Sequence, residues 1–128
     1  MTVQEPVTIG LSDSAKEKLR RLAEDKYFRQ QVDAYRFAIG LALAQGVDPP
    51  EVHKSGTIFN IGSFDPDGAI KRSIQAIMGD RLNGIAVYKM AERLAEWGIN
   101  ELTSQAEAGQ INFADILEQA GGGNTAAS

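Results

Sequence analysis

The sequence predicts a mainly helical fold: an N-terminal strand–helix–helix element, a short extended segment, and two to three further helices. Three observations carry this. Val7-Thr8-Ile9-Gly10-Leu11 alternates as a short strand does. Two helix-length segments follow it, the first amphipathic and charged, the second almost wholly apolar. From residue 85 to about 106, apolar residues recur at helical spacing without interruption. A single helical domain over residues 1–120 is expected, with the strand–helix–helix element at 7–46, a helical remainder at 57–120 and a flexible tail at 121–128.

The first helix has a readable start. Ser12 or Asp13 can accept the free N–H groups of its first turn, and Leu11 supplies the apolar residue before the cap. Ala15, Leu19 and Leu22 form its buried stripe, and Lys16, Lys18, Arg20, Arg21 and Glu24 occupy the rest of its circumference. The second helix, through Val32-Asp33-Ala34-Tyr35-Arg36-Phe37-Ala38-Ile39-Gly40-Leu41-Ala42-Leu43-Ala44, is apolar nearly all round, so a central position is expected, covered by its own domain, another subunit or both. Arg36 then lies on a covered face as a structural anchor, paired with a carboxylate or with helix-end carbonyls, because an unpaired buried guanidinium is very costly. Gly40 and the alanines permit close helix approach. Gly46 suits the left-handed residue that ends a helix, and Pro49-Pro50 prevents continuation.

Residues 57–61 read as a short strand. Asp65-Pro66-Asp67-Gly68 reads as a turn and helix start, with Pro66 at the first helical position. Its acidic pattern lacks the other ligands of a calcium loop, so capping is the expected use. Ile70, Ile74 and Ile77 mark the buried face of a third helix ending near Gly79. In the fourth, Val87, Met90, Ala91, Leu94, Gly98 and Leu102 face inward and Lys89, Glu92, Arg93, Glu96 and Asn100 outward, with Tyr88 and Trp97 at the edges. Asn112 is placed to cap a short last helix at 113–119.

Composition narrows the function classes. The chain has 128 residues, no cysteine and one histidine, His53. Thiolate zinc sites, cysteine nucleophiles and histidine-based triads therefore lack their parts, and neither a phosphate-binding loop nor a dinucleotide glycine pattern is present. A non-enzyme with no metal or cofactor is the expected reading. The start of the sequence lacks a secretory pattern and no apolar run reaches membrane-spanning length, so a cytoplasmic protein is expected. The net charge of −4 argues against nucleic-acid binding by the whole surface, but the charge is uneven. Between Lys16 and Arg29 six basic residues stand against three acidic ones. Any phosphate-facing surface is therefore expected at Lys16, Arg20, Arg21, Lys26 and Arg29.

Two families share features with the chain. Val7-Thr8-Ile9-Gly10-Leu11, the capped first helix and Tyr35-Arg36-Phe37-Ala38-Ile39 resemble ribbon-helix-helix repressors. That resemblance implies a strand pairing across a dimer and reading DNA with Thr8 and Gly10, where glycine brings no side chain. More of the chain, roughly 7–102, is similar to the DndE-type small subunit of bacterial DNA phosphorothioation systems. The matching pieces are Ile9-Gly10-Leu11-Ser12 with Ala15-Lys16 and Leu19, Arg36-Phe37-Ala38-Ile39-Gly40-Leu41-Ala42-Leu43, and the closing Trp97-Gly98-Ile99-Asn100-Glu101-Leu102. This second resemblance implies a helical homo-oligomer that contacts DNA through a basic surface and acts beside modification enzymes. The leading expectation is a non-enzymatic, oligomeric accessory protein of a DNA-modification or phage-defence system, touching DNA backbone or partner proteins. A ribbon-helix-helix regulator or antitoxin comes second, and a structural interaction protein without nucleic-acid binding third.

Overall fold

A computed structural model describes residues 8–25, 27–53 and 56–108. The chain runs β1 (Thr8–Gly10), α1 (Asp13–Glu24), α2 (Gln31–Gln45), β2 (Thr57–Asn60), the single-turn α3 (Ile61–Phe64), α4 (Ala69–Met78), a 3-10 turn over Gly79–Leu82, and α5 (Val87–Glu107). It is thus mainly helical, with one small antiparallel sheet pairing β1 with β2, as Thr8 to Asn60, Ile9 to Phe59 and Gly10 to Thr57. The step from Phe59 to Thr57 opposite Ile9 and Gly10 leaves Ile58 as an extra, bulged residue. Lys26, Pro6, the helix expected at 113–119 and the tail at 121–128 lie outside the described residues.

Local chemistry explains most element ends. Ser12 caps α1: its hydroxyl oxygen accepts from the Ala15 N–H at 3.2 Å, and Leu11 beside it is fully buried. At the end of α2, Gly46 takes the left-handed conformation (φ 65°), and the Val47 N–H returns to the Ala42 carbonyl. The Arg81 guanidinium closes this terminus from outside, donating to the carbonyls of Gly46 and Val47 at 3.1 and 3.0 Å and to Asp48. A cation there also complements the negative end of the helix dipole.

The core lies between α2 and α5, with α1 and α4 laid against them. Ala34, Tyr35, Ala38, Ile39, Leu41 and Ala42 give α2 its buried side, and Leu94, Ile99 and Leu102 answer from α5. The glycine that permits close approach is Gly98 on α5. A Cβ there would stand 2.2 Å from the Ala38 carbonyl oxygen, whereas Gly40, expected to have this role, faces open space. On α4 the buried pair is Ile74 and Met78; Ile77 is 54% exposed, because α4 meets its neighbours along a narrower stripe than its isoleucines suggest. Pro66 lies in the turn, three residues ahead of the first residue of α4.

Replacing Gly98 by alanine drives a methyl group into backbone. The expected loss is about 1–3 kcal/mol, read from the urea midpoint, from displacement of α2 against α5. Gly62→Ala, with nothing within 4 Å of its new Cβ, is expected to change stability by less than about 0.5 kcal/mol.

Candidate functional site

The polar residues that reach the interior hold backbone. Glu92, expected on the solvated side of its helix, is 4% exposed. Its Oε2 accepts the Gly10 N–H at 2.9 Å. One turn further along α5, Glu96 accepts both the Ser12 N–H (3.1 Å) and the Ser12 hydroxyl (2.6 Å). The Tyr35 hydroxyl, from α2, donates to the Gly10 carbonyl at 3.0 Å. Both backbone groups of Gly10 are therefore engaged, and the junction from β1 into α1 is fixed from two helices at once. Burial raises the Tyr35 phenol well above its ordinary range, and the nearby charges of Glu92 and Glu96 add to the effect. The ring packs edge-on against Phe59 and Phe64, each at 5.3 Å between centroids.

Asp65 organises a second junction. Its two carboxylate oxygens accept from the N–H groups of Ile70 and Lys71, both at 3.0 Å, and from the Tyr88 hydroxyl at 2.9 Å. Asp67 accepts from the Ala69 N–H. The two aspartates of the Asp-Pro-Asp-Gly turn thus serve the start of α4. Burial pushes the Asp65 carboxyl up, but those hydrogen bonds and the Arg72 charge outweigh it, so its net shift is downward.

Arg36 lies half-buried rather than on a covered face. It donates from Nε to the Phe64 carbonyl (3.1 Å) and from Nη2 to the Ser63 carbonyl (3.2 Å), tying α2 to the end of α3. Its contact with Asp33, one turn earlier on the same helix, is loose at 3.8 Å.

The basic residues of α1 divide between two sides of the helix. Lys16 and Arg20 border a shallow hollow with Asp13, Glu17, Gln31, Thr57 and Ile58. Arg21 and Lys18 border another with Asp25, Tyr27, Thr103 and Glu107. Arg20 is paired with Glu17 and Glu24 on its own helix, which raises its pKa further. The Arg20 hydrogen bond in turn lowers the Glu17 carboxyl. Lys18 donates to Asn100 on α5 at 2.7 Å. Arg21 and Arg29 are exposed, and Lys16 is half-buried with its ammonium near Gly56. Of the five candidates, then, Arg20 is balanced by two carboxylates of its own helix, Lys16 and Arg21 turn to different sides of α1, and Lys26 lies outside the described residues. His53 is exposed in the connection after Pro49-Pro50. Among the described residues no cluster of three or more His, Asp or Glu is placed to hold a metal ion, and no helix is long and apolar enough to cross a membrane.

Sequence reasoning missed Glu92, Glu96 and Arg81. No local signal marked the two acids: each follows a basic residue by three positions, Lys89 before Glu92 and Arg93 before Glu96, as on a solvated helix face. Compared with protein-family models, with curated proteins and with solved structures, the chain matches none.

Removing the Glu92 carboxylate strands the buried Gly10 N–H. Glu92→Ala is expected to cost about 1–3 kcal/mol in chemical denaturation, with Glu92→Gln, which keeps an acceptor, losing less. For Asp65 the pH dependence has a definite sign. Its folded pKa lies below its unfolded value, so its stabilisation is present above pH ~4 and is lost as pH falls through the folded pKa. Asp65→Asn is therefore expected to flatten the acid limb of the stability–pH curve below pH ~4 while lowering stability at neutral pH.

Proposed function

We propose that this chain is a non-enzymatic, oligomeric accessory protein of a DNA-modification or phage-defence system, whose work is done by its surface. The observation that carries this reading is how the interior polar groups are used. Asp65, Glu92 and Glu96 each accept backbone N–H groups at element junctions, an arrangement that builds a scaffold and leaves these carboxylates poorly placed for proton transfer. Contact with DNA is to phosphates, through Arg21 on α1 and Arg29 in the connection after it; Lys16 lies on the other side of α1, and Arg20 contributes least, because binding a phosphate would compete with Glu17 and Glu24. Partner proteins meet the remaining, mostly acidic or neutral, surface.

The ribbon-helix-helix regulator draws support from the order of a strand followed by two helices. It is the weaker reading because β1 pairs with β2 of the same chain and both backbone groups of Gly10 are engaged by Glu92 and Tyr35. An interaction protein with no nucleic-acid role is the third reading, supported by the balanced charge around Arg20.

Titration with duplex DNA of unrelated sequences over a salt series separates the three. The leading reading expects weak binding without sequence preference, falling steeply with salt. Arg21→Glu and Arg29→Glu should each weaken it and reduce the salt slope by about one, while Arg20→Glu changes it less. A single preferred palindrome whose preference depends on Thr8 supports the regulator, and no binding at low salt supports the interaction protein.

A further inference from the structure

Among the described residues, Asn83 is the single non-glycine residue with a positive φ (φ 51°, ψ 42°), and Gly84 after it is also left-handed (φ 80°). Asparagine tolerates this region better than most side chains, but still at a cost. Both residues are exposed, and a Cβ at Gly84 would meet nothing within 4 Å. The turn closes the 3-10 segment: the Asn83 N–H donates to the Asp80 carbonyl at 3.0 Å, and the Ile85 N–H to the Leu82 carbonyl at 2.9 Å. Among the described residues nothing accepts the Gly84 N–H, and nothing holds the Asn83 side-chain amide. Asn83-Gly84 is also the one Asn-Gly pair in the chain, since Asn60, Asn100, Asn112 and Asn124 precede bulkier residues.

We propose that Asn83 is a site of spontaneous covalent modification, in which its own backbone converts the side-chain amide to a carboxylate. This goes beyond the function proposed above and does not depend on it. The Gly84 nitrogen, having given its proton to hydroxide, attacks the Asn83 Cγ. The N–Cγ bond forms, the Cγ–Nδ2 bond breaks, and ammonia leaves after taking a proton from water, which closes a five-membered imide. Water then adds to one of the two imide carbonyls. Breaking the new N–Cγ bond leaves aspartate; breaking the bond from nitrogen to the backbone carbonyl carbon leaves isoaspartate, with the main chain rerouted through the side chain. The net change is water in and ammonia out, with nothing oxidised or reduced. Glycine permits the attack, because any other residue sets a Cβ beside the attacking nitrogen, as Ile61 does after Asn60 and Glu101 after Asn100. In the folded turn, ψ of 42° holds the Gly84 nitrogen away from the Asn83 side chain, so ring closure requires rotation about the Asn83 Cα–C bond. That rotation breaks one hydrogen bond across the turn, Ile85 to Leu82, and relieves the left-handed strain. Asn100 differs on this count too: it lies within α5 and accepts from Lys18. The product adds a negative charge to a chain of net charge −4, in the segment that joins Arg81, which closes α2, to the start of α5.

The test is incubation of the full chain, folded and in urea, at mildly alkaline pH, followed by ion-exchange separation and peptide mass mapping. The folded chain is expected to yield a more acidic species changed at Asn83, formed at least about tenfold faster than any change at Asn60 or Asn100. Its rate should rise with hydroxide concentration, because the attacking species is the deprotonated Gly84 amide. Asn83→Gly, which keeps the left-handed turn without strain and removes the side-chain amide, should remove that species while circular dichroism shows the same helix content. A folded chain unchanged at Asn83 over the time in which the urea-unfolded chain converts overturns the proposal, because the turn then protects the site. Conversion at Asn60 or Asn100 as fast as at Asn83 overturns it as well.

Discussion

The fold depends on two carboxylates of α5 reaching across to the backbone of another element. A short strand leading directly into a helix leaves N–H groups that neither element satisfies by itself. Here Glu92 takes the N–H of Gly10 and Glu96 takes that of Ser12, while the Ser12 hydroxyl, which donates to Glu96, also caps α1. One helix thereby sets the position of β1 and the direction of α1. Because β2 pairs with β1, it sets the sheet as well. Removing either acid leaves a buried or half-buried donor without its acceptor, which costs more than the hydrogen bond is worth when made.

The same economy of polar groups recurs elsewhere. Asp65 gathers the start of α4 and the Tyr88 hydroxyl of α5, Arg81 closes the end of α2, and Arg36 ties α2 to α3. Each is a charged side chain bonded to backbone at an element end, where unsatisfied groups and the helix dipole make such a bond strongest. Apolar packing between α2 and α5, allowed to close up by Gly98, supplies the bulk of the burial. The charged ties decide which arrangement of helices that packing produces.

Features governed by local chemistry are legible in the sequence alone. Ser12 as a cap, Gly46 as a terminator, the strand expected at 57–61 (which ends at Asn60, Ile61 opening α3), the capping use of the Asp-Pro-Asp-Gly turn and the inward stripe of α5 all follow from short-range rules. Features that depend on which helix lies where were not. Gly40 and Gly98 look alike in a helical pattern, and only the packing of α2 on α5 gives Gly98 the close contact. Glu92 reads as a solvent-facing acid, since its acceptor role is defined by a backbone N–H 82 residues away. The basic stretch from Lys16 to Arg29 looked like one surface because sequence proximity conceals helical rotation: Lys16 and Arg20 turn towards β2, and Arg21 and Lys18 towards the end of α5.

The distance along the chain between Gly10 and Glu92 also bears on how the molecule comes into being. As the polypeptide is synthesised, the N-terminal strand and first helix emerge long before α5, and their ties to Glu92 and Glu96 must await it. Closing loops of more than 80 residues is slow compared with forming the helices themselves. A nascent chain ending near residue 60 therefore carries exposed apolar residues of α2 and an unsecured strand edge, a state that invites chaperone capture or proteolysis. The N-terminal strand–helix–helix segment is consequently a poor excisable module: its order is conferred by the last described helix, and the molecule becomes itself only when that helix arrives.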